Sequence, residues 1–345
     1  MKKTLAATVA AVALFAGASQ AQKIEKTEKV GTGIYEIIYN EKDNTVYVAA
    51  IGTRGEPGTA NIYKLDPKTL AVKGTINTGE KPGFGLGINR TSQTLYTSNT
   101  RNNSVHAIDL KSGKIVATID HGQEKSHTRE IVADENNNKI YVSNMTDIWV
   151  IDGKTNKFSH LIEGLGEGIT GLSLDEKNQI LYTTDMRKST VIAVDLKTNK
   201  AVKTFASGGE NAINVFFDAK GKRLFVANQT SGTLTVLDTD GKLIKSVATG
   251  AGALSVNFDA KLNRIYVTNR GAGTTSIVDG KSYEILAALQ TGSHPQTVAV
   301  DQKTGRVFVT NKAKGRPRPA AGQPAPTGPA PVDPTGDVVT IISPK

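Results

Sequence analysis

A tetrapeptide with an aromatic first residue recurs seven times along the chain, and this repeat constrains the fold more than any other feature. Successive copies begin 49, 45, 41, 43, 41 and 42 residues apart. A period of this length is typical of architectures in which each unit buries its apolar face against the next unit. The copies are Tyr47–Ala50, Tyr96–Asn99, Tyr141–Asn144, Tyr182–Asp185, Phe225–Asn228, Tyr266–Asn269 and Phe308–Asn311.

Each copy lies within the same order of β-forming segments. An apolar segment ending in Asp precedes it, as in Ile169–Asp175, and a second such segment follows it, as in Val191–Asp195. A last β-rich segment, such as Lys200–Phe205, completes the unit. Short turns rich in Asn, Gly, Lys and Asp separate the segments, and only the N-terminal residues could form a helix. Four strands in each of seven units predict an all-β fold, a seven-bladed β-propeller.

The seventh unit is incomplete. It has a first strand at Pro295–Asp301, a second at Arg306–Asn311 and a third at Asp337–Ile342, but no fourth. An unassigned β-forming segment, Lys23–Val30, lies near the N-terminus. We predict that this segment supplies the missing strand, because pairing the two ends closes the ring and removes exposed sheet edges.

The recurring Asp and aromatic residues are interpreted as structural. An Asp at the end of a strand is suited to accept hydrogen bonds from the backbone of the following turn. The aromatic residue of each tetrapeptide, and Trp149, are predicted to pack between blades. The Asp residues in question are Asp66, Asp109, Asp152, Asp195, Asp238 and Asp279.

Residues 1–21 have the features of a secretory signal peptide. Lys2 and Lys3 precede the apolar segment Leu5–Ala16, and Ser19 and Ala21 are small residues at the expected cleavage site. We therefore expect residues 22–345 to form an exported propeller, periplasmic where the host has an outer membrane, with no membrane span. The chain has no cysteine, which excludes disulfides and a thiolate nucleophile.

A formal net charge of +10 predicts attraction to polyanions. In a propeller, the blade-joining loops share one rim with the loops between second and third strands. Basic residues of the latter loops are the candidate anion-binding set, although the blade-joining loops near blades three and four are acidic. The set comprises Arg54, Arg101, Arg187, Lys188, Arg270, Lys312, Lys314, Arg316 and Arg318.

Residues 312–336 form an insertion in blade seven that begins Lys-Ala-Lys-Gly-Arg-Pro-Arg-Pro. Its Pro-rich, basic composition predicts a disordered arm that could contact phosphates. The alternative is a solubilising loop without a ligand.

A second candidate set is predicted at the mouth of the central channel. Its aromatic and His side chains could stack on bases, plug the channel or pack in the core. Its polar groups would also suit a lactonase- or lyase-type site, with Glu or His as base and Arg facing an oxyanion. The set comprises Tyr35, Glu36, Phe84, Arg129, Glu130, Asn211, Asn214 and His294.

Motifs for catalysis and metal binding are weak. The sequence contains no phosphate-binding Gly-rich motif before a helix, no nucleophile elbow and no zinc-protease motif. His121 and His127, with Asp120 and Glu124 nearby, match the spacing of no established metal site. No catalytic residue, metal site or cofactor is assigned.

The tetrapeptide resembles the YVTN family of β-propeller repeats, of which Tyr266–Asn269 is a literal copy. Within that family the chain is similar to exported YncE-like proteins, through Gly33–Glu36, Thr128–Asp134, His294-Pro295 and the Lys-rich insertion before Asp337. This resemblance implies a seven-bladed propeller and, from its best-known member, binding of single-stranded DNA in the periplasm. Other seven-bladed relatives are lactonases, lyases and surface-layer proteins.

Three functional hypotheses follow. The first is a monomeric, non-enzymatic binding protein whose basic rim takes single-stranded DNA or another polyanion with little sequence specificity. The second is a propeller enzyme acting on a small ligand at the channel mouth. The third is a scaffold for another envelope protein, which predicts an apolar surface patch.

Overall fold

A computed structural model describes residues 22–53, 56–122, 127–315 and 332–344. Its regular structure consists of 28 strands in seven four-stranded antiparallel sheets, which confirms the predicted seven-bladed propeller. The predicted signal peptide, Arg54, Arg316, Arg318 and most of the blade-seven insertion lie outside the described residues. Within the described ranges, no helix is long and apolar enough to cross a membrane.

Each blade contributes one inner strand to the wall of the channel. These strands are β2 Ile34–Asn40, β6 Gly85–Asn89, β10 Ile131–Asp134, β14 Ile169–Asp175, β18 Ala212–Asp218, β22 Ala253–Asp259 and β26 His294–Val300. The second strands contain the tetrapeptide. They are β3 Thr45–Ala50, β7 Thr94–Asn99, β11 Lys139–Asn144, β15 Ile180–Asp185, β19 Arg223–Asn228, β23 Arg264–Asn269 and β27 Val307–Lys312.

The third and fourth strands complete each blade outward. The third strands are β4 Ala60–Leu65, β8 Ser104–Asp109, β12 Asp147–Asp152, β16 Thr190–Asp195, β20 Thr233–Asp238, β24 Thr274–Asp279 and β28 Val338–Ile342. The fourth strands are β5 Val72–Gly79, β9 Lys114–Ile119, β13 Lys157–Ile162, β17 Lys200–Ala206, β21 Leu243–Ala248, β25 Ile285–Gln290 and, in blade seven, β1 Ile24–Lys29.

The hydrophobic core is divided into seven clusters, one between each pair of neighbouring blades. Tyr47 of blade one packs with Ile88 of blade two in one cluster, and Trp149 of blade three packs with Tyr96 of blade two in the next. The aromatic residues of all seven tetrapeptides are buried, as is Trp149. Their predicted packing between blades is confirmed.

The Asp residues at the ends of third strands form the predicted turns. Asp66 Oδ1 accepts hydrogen bonds from the backbone N–H groups of Lys68 and Thr69, both at 2.9 Å. The equivalent carboxylates do the same in the other complete blades, which confirms their structural role. They are Asp109, Asp152, Asp195, Asp238 and Asp279.

The third residue of the tetrapeptide links inner strands. Thr310 Oγ1 accepts the N–H of Thr297 in its own blade at 3.2 Å and donates to the carbonyl of Tyr35 in the next blade at 2.6 Å. Ser98 makes the same pair of bonds to Gly85 and Arg129. The register of β26 against β27 shifts at this hydroxyl, and equivalent shifts occur in blades one and five, where the third residue is Ala49 or Ala227.

A third-residue hydroxyl also accompanies a late start of β10. The segment Thr128–Asp134 precedes the third tetrapeptide, but its strand begins only at Ile131. The Ser143 hydroxyl takes the Glu130 N–H at 3.1 Å, which removes that donor from the ladder. Thr128 bonds through its own hydroxyl to the Ser104 carbonyl.

The predicted closure by the N-terminal segment is also confirmed. β1 pairs antiparallel with β28, with Lys29 opposite Val338 and Ile24 opposite Ile342. Most of β1 is exposed, so its contribution is mainly the hydrogen-bonded ladder. Arg306 adds a two-pronged contact to Glu25, with nitrogen-to-oxygen distances of 3.1 and 3.3 Å.

We expect a chain of residues 31–345 to be less stable than one of residues 22–345. Loss of β1 exposes the edge of β28, which should lower the melting temperature by at least about 5 °C and favour self-association. Calorimetry and light scattering measure both effects. A peptide of residues 22–30 added in trans should restore part of the loss, and equal melting temperatures for the two chains would contradict the closure.

Candidate functional site

The inner strands begin at the rim that also holds the loops between second and third strands. Backbone hydrogen bonds join the two in successive blades, from Met186 to Gly168, from Gln229 to Asn211 and from Arg270 to Gly252. This is the predicted arrangement of the rim. We call it the mouth rim, and the channel opening on it the mouth.

Two aromatic residues of neighbouring blades meet at the mouth. The rings of Tyr35 and Phe84 lie edge to face, with centroids 4.9 Å apart. Arg101 lies over Phe84 at 5.4 Å, and the Lys312 ammonium lies over Tyr35 at 3.8 Å and donates to its hydroxyl. These four residues, the mouth cluster, thus join two predicted stacking residues to two predicted anion-binding residues. Each ring carries a cation on one face.

Two carboxyl groups, Glu36 of blade one and Glu130 of blade three, lie inside the ring. Burial, followed by repulsion from Glu130, raises the pKa of Glu36 well above its usual range. Burial raises the pKa of Glu130 to about 8, although hydrogen bonds from Asn214 and the Leu172 amide act in the opposite direction. At neutral pH the Glu130 carboxyl is therefore largely uncharged, and the pKa of Glu36 is shifted in the same direction.

Asn214 connects blades that are not neighbours. Its Nδ2 donates to Glu130 Oε2 of blade three at 2.8 Å, and its Oδ1 accepts the Val256 N–H of blade six at 3.0 Å. The amide thus fixes the Glu130 carboxyl from across the channel.

Arg129, which precedes Glu130 in the chain, is partly buried at the mouth. Desolvation lowers the pKa of its guanidinium, against a smaller opposite effect of Tyr35. Its Nη2 is 3.2 Å from Nε2 of His127, and among the described residues its buried Nε has no hydrogen-bond partner. With His127 and Arg187 it lines a cavity of about 480 Å³ beside the mouth.

His294 lies within a cationic group on the blade-seven side. Burial lowers the pKa of its imidazole, and Arg270, Lys314 and Lys312 lower it further. One carboxylate, Asp333, faces this group. Burial alone would raise the pKa of Asp333, but hydrogen bonds from the Lys314 N–H and the Ser293 hydroxyl lower it to about 2.

The remaining predicted residues are more scattered. Arg187 forms an exposed ion pair with Glu167, and Lys188 is exposed while its backbone N–H donates to Asp185. Asn211, in the segment that joins blades four and five, takes a left-handed backbone conformation, and its N–H donates to the Ser189 hydroxyl in the loop between β15 and β16. The structure therefore brings together most of the mouth set but leaves Asn211 in a turn.

The two histidines considered as metal ligands, His121 and His127, lie in separate surroundings. His121 stacks on Phe158 at 4.9 Å and meets Trp149 edge to face, whereas His127 lies beside Arg129 at the mouth. Within the described ranges, no group of three or more His, Cys, Asp or Glu side chains could hold a metal ion.

Sequence reasoning missed the cavity beside Arg129. Its floor includes Met145 and Thr146, a hairpin loop of two residues between β11 and β12. A comparison of loop lengths between the repeats could have revealed the cavity.

The raised pKa of Glu130 predicts a pH-dependent gain in stability for Glu130→Gln. The folded protein retains this proton up to about pH 8, whereas the unfolded chain releases it near 4.5, so the wild-type free energy of unfolding falls between these values. The gain from Glu130→Gln should grow over this window by about 2 kcal/mol, less than the full shift because Glu130 is only partly shielded from solvent. Urea unfolding at several pH values measures it, with exposed Glu210→Gln as control. An equal difference at pH 5 and pH 8 would contradict the assignment.

Comparison with known proteins now identifies the family. Residues 132–316 match the family model described as YNCE-like beta-propeller. The uncharacterized protein YncE of Escherichia coli O157:H7 is 34% identical over 245 residues, which cover 67% of this chain and 69% of that protein. The protein of the same name from Salmonella typhi is 35% identical over 237 residues, 64% of this chain and 67% of its own length. The chain belongs to the YncE-like β-propeller family.

Proposed function

We propose that this protein is an exported, non-enzymatic binding protein whose mouth rim binds single-stranded DNA or a similar anionic polymer. Export rests on the signal-like residues 1–21, and a periplasmic location on the resemblance to exported YncE-like proteins. The observation that carries the proposal is the mouth cluster.

The mouth cluster supplies the two contacts that single-stranded nucleic acid requires. Tyr35 and Phe84 offer ring surface for base stacking, which every base can use. Arg101 and Lys312 lie within 5.4 and 3.8 Å of those rings, so a stacked base places its phosphates close to positive charge. Binding of this kind reads little sequence.

Further positive charge extends from the cluster toward blade six. Arg270, Lys312 and Lys314 surround His294, and the Lys314 N–H donates to Asp333 at 2.8 Å, which fixes the start of the insertion at the rim. The insertion then continues with Arg316 and Arg318. We propose that these two residues add phosphate contacts to the same path.

The channel carboxyls support this reading electrostatically. With a pKa of about 8, Glu130 carries little negative charge at neutral pH, and the raised pKa of Glu36 acts in the same direction. The mouth is therefore more positive than a count of its residues indicates, and a polyanion approaching the rim meets little repulsion.

A second candidate function uses the same carboxyl groups. An acid–base catalyst works best with a pKa near the operating pH, and Glu130 meets this condition, while Arg129 precedes it in the chain. A small substrate at the mouth could therefore undergo lactonase- or lyase-type chemistry. This candidate predicts that Glu130→Gln abolishes turnover.

A scaffold function would use the outer face. Adjacent aliphatic residues are exposed on several fourth strands, including Val116 on β9, Leu243 and Ile244 on β21, and Ile285 and Leu286 on β25. An envelope protein could cover such a surface. This candidate predicts that charged substitutions there impair complex formation without affecting the mouth.

Fluorescence anisotropy of a labelled single-stranded oligonucleotide tests the leading proposal. We expect affinity to fall steeply with salt, and Tyr35→Leu and Phe84→Leu each to weaken binding about tenfold, because each removes a stacking surface. Lys312→Gln should reduce the slope of log affinity against log salt concentration by about one, the change expected when one phosphate contact is lost.

The matched control is Lys220→Gln, which removes an exposed cation from the turn between β18 and β19 on the opposite rim. It should leave the affinity within about twofold, a change of less than 0.5 kcal/mol. Absence of binding at low salt, or equal effects of Lys220→Gln and Lys312→Gln, would contradict a specific mouth site. Competition by heparin measures the preference for DNA over other polyanions.

A further inference from the structure

The loop between second and third strands is shorter in blade three than in its neighbours. Blades two, four, five and six have four residues between these strands, at 100–103, 186–189, 229–232 and 270–273. Blade three has two, Met145 and Thr146. The rim is therefore lower at this one blade, and the cavity of about 480 Å³ opens above the short loop.

The short loop is a constrained structure. Met145 has a φ of 47°, a left-handed conformation that is unfavourable for a side chain of this type. Its carbonyl accepts the N–H of Ile169 at 2.7 Å, which joins blade three to blade four. The cavity is thus built into the junction of two blades rather than formed by a loose segment.

The lining is cationic. Arg129 and Arg187 are positively charged, and Glu167 is the one carboxylate among the lining residues. The lining therefore has one surplus positive charge. Burial and the nearby Arg129 lower the pKa of His127, which keeps its ring neutral and suited to accept the Arg129 hydrogen bond. Met145 adds apolar surface on the floor.

Neither guanidinium is fully satisfied by the protein. The buried Nε of Arg129 has no partner among the described residues, and an unpaired buried donor is costly. Arg187 Nη1 lies 3.2 Å from Glu167 Oε2, but these side chains are 57% and 73% exposed, so this ion pair is weak and readily exchanged. An oxyanion between the two arginines would satisfy both.

We propose that this cavity, lined by His127, Arg129, Met145, Glu167 and Arg187, binds the carboxylate or phosphate group of a small ligand. The planar guanidinium groups of Arg129 and Arg187 donate to the oxyanion, as such groups do at two-pronged sites. The ligand body lies on Met145, and the volume suits a small molecule. This site does not depend on whether the mouth rim binds a polymer.

Methyl NMR of protein labelled with ¹³C-methyl methionine tests this proposal. The chain has three methionines, of which Met145 lines the cavity and Met186 lies in the next blade's loop. Titration with inorganic phosphate, and separately with acetate, should shift the Met145 signal saturably. Arg129→Gln and Arg187→Gln should each weaken binding by about tenfold, since each removes charge-assisted hydrogen bonds.

Two variants separate a built site from general attraction to positive charge. Lys188→Gln removes the exposed cation next to Arg187 without touching the lining, and should change the affinity less than about twofold. Insertion of Gly-Asn between Met145 and Thr146 restores the four-residue loop of the neighbouring blades. The longer loop should fill the cavity and abolish the saturable shift of the Met145 signal. The melting temperature should stay close to that of the wild type.

Two outcomes would overturn the proposal. One is no saturable shift of Met145 with either anion at about 100 mM, a hundred times a millimolar Kd. The other is a Lys188→Gln effect as large as that of Arg187→Gln. The same titration with an oligonucleotide that has a 5′-phosphate, and with one that lacks it, then distinguishes a polymer end from a free small molecule as the bound group.

Discussion

Side-chain hydroxyls on the second strands hold the inner strands of neighbouring blades together. Thr310 Oγ1 donates to the Tyr35 carbonyl at 2.6 Å, and Thr268 Oγ1 donates to the Gln296 carbonyl at 3.0 Å. The same oxygen accepts an N–H from its own inner strand, where the register shifts. Tyr35 and Glu36 of the mouth lie at such a shift, and most other mouth residues lie at or just before the starts of inner strands. Their positions therefore depend on the closed ring, and the ring on the ladder between β1 and β28.

Charge in the channel follows from this packing. Strand β2 and the residue before β10 hold Glu36 and Glu130 inside the ring, where burial raises the pKa of each carboxyl. At the rim, cations lie in loops that reach solvent. The result is a mouth with acids of raised pKa below and basic residues above, which suits an anionic ligand. The polymer and the small oxyanion proposed here would use different parts of that surface.

The repeat made most of the fold predictable from the sequence. Its period specified the blades, the unpaired segment near the N-terminus specified the closure, and Asp66 and its counterparts specified the turns. The mouth was only partly predictable. Phe84 meets Tyr35 because their blades are neighbours, but Asn214 reaches Glu130 across the channel, and its width cannot be read from a sequence. The late start of β10 could not be predicted either, because the Ser143 hydroxyl takes the Glu130 N–H from the backbone ladder.

Photo-crosslinking tests most directly whether the mouth rim is the binding face. A single-stranded oligonucleotide containing bromodeoxyuridine would be irradiated with the protein, and the modified residues identified by mass spectrometry. We expect adducts at Tyr35 or Phe84, whose rings lie together at the mouth. Adducts confined to Tyr39 and Tyr283, which lie by turns on the opposite rim, would contradict the account.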